Sequence, residues 1–131
     1  MDDDWHPNNK DIEFYELHKN MLSSLSDEIR ELSRKKQEGV LNLTKVKIIN
    51  RVLSPLKEGI LSHLPSHIFL DILDETLLPS NSDAVLIISQ YEASLGEFRN
   101  KFYITYEYGG FSTRSFWRTV ENPNDNGRYT N

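Results

Sequence analysis

The residues of this 131-residue chain best suited to chemistry are its four histidines and the carboxylates near them. His63 and His67 stand four apart, a spacing that puts two imidazoles on one helical face and can ligate zinc. Pro65 lies between them, and a proline there breaks the helix that would align them. His67, Asp71 and Asp74 form a better set. On a helix they occupy positions i, i+4 and i+7, with Glu75 beside them. Oxygen and imidazole donors together suit a hard or borderline divalent cation. The same residues also serve as the solvated side of a helix that buries Phe69, Ile72 and Leu73. His18 falls on an apolar stripe, where a histidine commonly sits at the core edge with its ring hydrogen-bonded.

Nucleophilic and phosphate-binding signatures are missing. No serine sits in a Gly-x-Ser-x-Gly elbow, and no glycine-rich loop precedes a Lys-Ser/Thr pair. The chain has no cysteine, which removes thiolate catalysis, disulfides and Cys-ligated metals. A small metal-dependent enzyme built on His67, Asp71 and Asp74 therefore ranks third among the functional readings, and no cofactor is expected.

Charge is more informative. Residues 34–57 carry seven basic side chains and one acidic one, whereas residues 58–98 carry seven acidic side chains and no Lys or Arg. The net charge is only −5, so the asymmetry matters more than the total. Solubility alone favours mixed signs; segregated blocks create a field that can orient a partner or a second copy. A phosphate-binding reading rests on Arg34, Lys35, Lys36, Lys45, Lys47 and Arg51, joined by Arg114, Trp117 and Arg118 in an aromatic segment. The alternative is that the two blocks neutralise each other within one chain.

The elements that must position these groups follow from periodicity and punctuation. Residues 1–9 read as an acidic, flexible tail and 121–131 as a second one, leaving one domain over 10–120. A first helix spans about 10–38, with Tyr15, Leu22 and Ile29 in one heptad position and His18, Leu25 and Leu32 in the other. Leu25 is expected at the centre of the core. A second helix starts after Asn42 or Thr44, and Pro55 kinks or restarts it. Its β-branched stretch 46–49 also allows a strand. A third helix is expected over 67–77, ended by Pro79, and a fourth behind a Ser80 cap. The aromatic runs on either side of Gly109-Gly110 predict a hairpin over 102–120, in preference to a fourth helix extended to Tyr108.

The expected fold is mainly α: about four helices in a compact bundle with a C-terminal aromatic β-hairpin. The expected function is a non-enzymatic protein-interaction or regulatory module that self-associates, as a homodimer, or binds a foreign protein. A nucleic-acid-binding accessory protein is the runner-up. The acidic N-terminus lacks an apolar signal core, and the longest wholly apolar run, 84–88, is too short to span a bilayer. A cytoplasmic protein with no membrane partner is therefore expected.

Overall fold

The computed structural model describes residues 4–110 and 112–123. It is mainly helical, with a two-stranded C-terminal hairpin, but it holds three α-helices rather than about four. Helix α1 spans Asn9–Lys35, α2 spans Leu43–Glu58 and α3 spans Asn81–Phe102. Strands β1 (Tyr103–Tyr108) and β2 (Ser112–Trp117) follow.

Side-chain caps set each helix start. The Asn8 side chain accepts from Asp11 N–H at 2.8 Å, and the Asp11 carboxylate accepts from Asn8 N–H at 2.9 Å, forming a closed capping box. Asn42 caps α2 through Lys45 N–H, and Ser80 caps α3 through Asp83 N–H. The buried stripe of α1 is Ile12, Tyr15, Leu22, Ser26 and Ile29. Leu25 is only half-buried, contrary to expectation. The helix turns its 15–22–29 line toward α3, its main partner, so Leu25 sits on the flank toward α2.

Pro55 does not restart α2. It lies in the last turn of a continuous helix, where its carbonyl accepts from Gly59 N–H at 2.9 Å as the helix ends. Pro55 has no N–H to give the Arg51 carbonyl four residues earlier, so the helix continues through it with one backbone bond fewer. The 46–49 stretch is helical, and Val46 and Ile49 face the core.

The largest departure is the expected third helix. Residues 67–77 form no α-helix. Two 3-10 turns, Ile60–His63 and Pro65–Phe69, are followed by an irregular segment up to Ser80. Side chains that bond to backbone have displaced the helical ladder here. Buried Asn50 accepts from Leu73 N–H and donates to the Leu73 carbonyl, both at 2.9 Å. One Asp74 carboxylate oxygen accepts from Thr76 N–H, the Thr76 hydroxyl and Leu77 N–H. This path buries Leu70 and Leu73 and leaves Ile68, Phe69, Ile72 and Leu77 exposed.

The start of α3 is locked to the end of α1. Asn81 N–H donates to the Gly39 carbonyl at 2.8 Å, Asn81 Nδ2 to the Lys36 carbonyl at 2.9 Å, and Ser82 N–H to the Gln37 carbonyl at 3.1 Å. Carbonyls of the loop after α1 thus meet the free amides at the start of α3. A Cβ at position 39 would lie 3.0 Å from Asn81 Nδ2, so a larger residue there would press on the side chain that holds the Lys36 carbonyl.

The hairpin reading holds over the fourth-helix extension. α3 passes directly into β1, and Tyr103 pairs with Trp117 through to Tyr108 with Ser112. Gly109 and Gly110 have φ of 61° and 78°, the left-handed region that glycine enters without strain. The expected tails are partly anchored. Trp5 stacks on His63 at 4.0 Å and meets Phe102 edge-on at 5.6 Å. Val120 N–H donates to the Pro7 carbonyl, and Asn9 N–H to the Glu121 carboxylate. Residues 1–3 and 124–131, the rest of the two expected tails, lie outside the described residues. Among the described residues, no helix is long and apolar enough to cross a membrane.

Asn50→Ala should lower the unfolding free energy by roughly 2–4 kcal/mol, because two buried backbone groups of Leu73 lose their partners. Urea denaturation checks this; a loss near that of a surface substitution would show that Asn50 does not hold the segment.

Candidate interaction surfaces

The metal-ligand set does not assemble as expected. His67 lies in the middle of the second 3-10 turn, while Asp71 and Asp74 follow on irregular chain, so no helical face joins them. Among the described residues, no group of three or more His, Cys, Asp or Glu is placed to hold a metal ion. The Asp74 carboxyl is held below its ordinary pKa by hydrogen bonds from Leu77 N–H, the Thr76 hydroxyl and Thr76 N–H, in that order of effect. His63 lies in the first 3-10 turn with its ring on Trp5. His18 stacks on Phe14 at 3.8 Å, and its Nδ1 lies 2.9 Å from the Phe14 carbonyl, which fixes Nδ1 as the donor.

Two tyrosines have raised pKa values. Burial raises Tyr15, partly opposed by the Arg99 charge, and burial followed by the Asp71 charge raises Tyr91. Tyr91 O–H is buried without a hydrogen-bond partner. Both rings therefore stay neutral and serve packing. Ser66 donates to the Glu97 carboxylate at 2.6 Å and shares a hydrogen bond with buried Ser94. No imidazole takes part in that network, so it ties the second 3-10 turn to α3 rather than activating a nucleophile.

The phosphate-binding set is split. Arg34, Lys35, Lys36 and Lys45 do gather where α1 ends and α2 begins, and Arg34 pairs with Glu31. Lys47 and Arg51 lie farther along α2, both exposed. The hairpin residues lie elsewhere. The Trp117 ring packs against Tyr15, Phe98 and Tyr103 at 5.2, 6.1 and 5.0 Å, so it belongs to the aromatic end of the core. From Tyr15 to Lys35 a helix rises about 30 Å at ~1.5 Å per residue. Arg114 is exposed in β2, and Arg118 is half-buried just beyond it. The structure therefore separates Arg114, Trp117 and Arg118 from the basic end.

Two apolar surfaces stand out instead. The first is a groove of about 490 Å³ between α1 and α2, lined by Leu17, Met21, Leu25, Ile48 and Val52, with Arg51 at its edge. Leu17 is 57% exposed, Met21 47% and Ile48 40%, so the groove floor faces solvent. The second is a depression of about 630 Å³ between the 71–80 segment and α3. Leu77 and Leu86 there are 80% and 61% exposed, and Asp71, Asp74 and Asp83 surround them with Lys57. Contiguous apolar exposure of this kind marks contact surfaces more often than scattered residues do.

The charge blocks do not pair directly. Among the described residues, no ion pair within 4.0 Å joins a basic residue of 34–57 to an acidic one of 58–98. The salt bridge that joins α1 to α3 is Arg30–Glu92 at 2.9 Å, on the protein surface. Periodicity along single helices gives no sign that Leu17, Met21 and Ile48 meet. The acidic surface was hidden because it depends on chain that is not helical. In comparisons with known proteins, no family model matches the chain, and no curated protein or solved structure matches it significantly.

Asp74 gives the segment that carries the second surface a pH signature. A carboxyl with a depressed folded pKa contributes stability that is full above its unfolded value, about 3.9, and is lost as pH falls through the folded value. Asp74→Asn keeps the acceptor oxygen but removes the titration. Thermal melts from about pH 5 down to about pH 2 should therefore fall less steeply for Asp74→Asn than for the wild type. Parallel curves would contradict the assignment.

Proposed function

We propose that this protein is a non-enzymatic interaction module that self-associates through the α1–α2 groove. The observation that carries this reading is the clustering of exposed Leu17, Met21 and Ile48 in one groove, with exposed Arg51 at its edge. An apolar patch edged by charge is the usual make-up of a protein contact, with burial supplying affinity and charge supplying orientation. The charge blocks support the same reading, because their members form no direct ion pairs with each other inside one chain. A regulatory role in the cytoplasm fits a cysteine-free chain whose state follows its own concentration.

A nucleic-acid accessory role keeps one supporting observation, the gathering of Arg34, Lys35, Lys36 and Lys45 at one end. The packed Trp117 and the net charge of −5 weigh against it.

Sedimentation velocity tests the preferred reading. The wild type should form dimers or larger species as concentration rises, weakened but not abolished by salt, since apolar burial persists when charges are screened. Met21→Glu should weaken association at least tenfold, about 1.4 kcal/mol, while leaving the melting temperature close to wild type. A wild type that is monomeric at every concentration would overturn self-association.

A further inference from the structure

The two exposed surfaces share no lining residue, and each carries what the other lacks. In the groove, Arg51 is the sole charged lining residue. The other surface sets Asp71, Asp74 and Asp83 around exposed Leu77 and Leu86, against the single cation Lys57. Both are concave; the groove lining is mainly apolar, that of the acidic face is apolar and polar in similar measure, and their charges are opposite in sign.

We infer that the α1–α2 groove of one copy seats on the acidic apolar face of the next, so that the chain associates head to tail. The inference rests on the self-association proposed above and names the surface that the groove takes. Symmetry supplies the argument. A two-fold pairing of groove with groove offers Arg51 no carboxylate, because the groove lining carries none. A two-fold pairing of acidic face with acidic face sets three aspartates against three. The first leaves Arg51 without an opposite charge, and the second brings two net-acidic surfaces together. The head-to-tail arrangement is the one that brings Arg51 to Asp71, Asp74 and Asp83 while covering Met21, Ile48, Leu77 and Leu86. Because the two surfaces are separate, each copy can use both at once. Such contacts close into a ring or continue as an open chain, according to the rotation between copies.

The test uses two full-length variants. Met21→Glu disables the groove and leaves the acidic face; Leu86→Glu disables the face and leaves the groove. Both sites are exposed helix positions, and circular dichroism melts confirm that each variant folds. Alone, each variant should self-associate at least tenfold more weakly than wild type. Mixed in equal amounts, they should form a one-to-one pair that does not grow, because one intact groove meets one intact face. The wild type should grow beyond that size or close into a ring. If Leu86→Glu self-associates as the wild type does, the head-to-tail arrangement is wrong while groove-mediated association stands. If wild type associates but the mixture shows no pairing, the arrangement is likewise overturned. A wild type that stays monomeric throughout removes the self-association on which the inference rests.

Discussion

Asn50 donates to and accepts from the backbone of a single residue, Leu73, from inside the fold. That pair works as one rung of a ladder would, except that one side of it is a side chain. It lets residues 70–79 cross the molecule without a helix and without stranding the buried Leu73 amide and carbonyl. The alternation that follows decides what the surface becomes. Leu70 and Leu73 turn into the core, while Ile72 and Leu77 turn outward beside Asp71 and Asp74. A helix over the same residues would have buried Phe69 and Ile72, exposed here, together with Leu73. At the end of the segment, Asn81 repeats the device by fixing α3 to the loop after α1.

The opposite end of the molecule is held by rings. Tyr15, Phe98, Phe102, Tyr103 and Trp117 form one aromatic cluster, and Trp5 closes it from the N-terminal side. Here α3 runs straight into β1, so the hairpin is a continuation of the core rather than an appendage. Backbone bonding between Pro7 and Val120 brings the two chain ends together over the same cluster. Trp117 is committed to packing for that reason. The two ends of the fold therefore have different chemistry: side-chain-to-backbone hydrogen bonds at one, aromatic contacts at the other.

Much of this architecture was legible in the sequence. Helix starts were signalled by Asn42 and Ser80, whose side chains can meet free amides, and the hairpin by Gly109-Gly110 between aromatic runs. The stripe of α1 was legible in period but not in rotation, because Leu22 and Leu25 are equally apolar and only the position of α3 chooses between them. The segment after Pro65 was not legible. Its apolar spacing fits a helix, and nothing local reveals that Asn50, 23 positions earlier, will take the backbone of Leu73. The metal-ligand set failed with that helix. Trp5 also escaped notice, since a lone aromatic in a polar segment carries no period. The groove needed two helices to be placed before Met21 and Ile48 could be seen to share it.

The charge segregation gains meaning from this geometry. Basic residues cluster along α2 and at the α1–α2 junction, while acidic ones follow the irregular segment and α3, and each group borders exposed apolar side chains. The proposed self-association would join two such surfaces of opposite sign. The central claim is that both surfaces are used when the chain associates with itself. Amide chemical shifts, followed by NMR from dilute to concentrated protein, test it most directly. The account predicts concentration-dependent changes in two separate groups at once, around Met21, Ile48 and Arg51 and around Asp71, Leu77 and Leu86. Changes confined to one group, or none at any concentration, would contradict it.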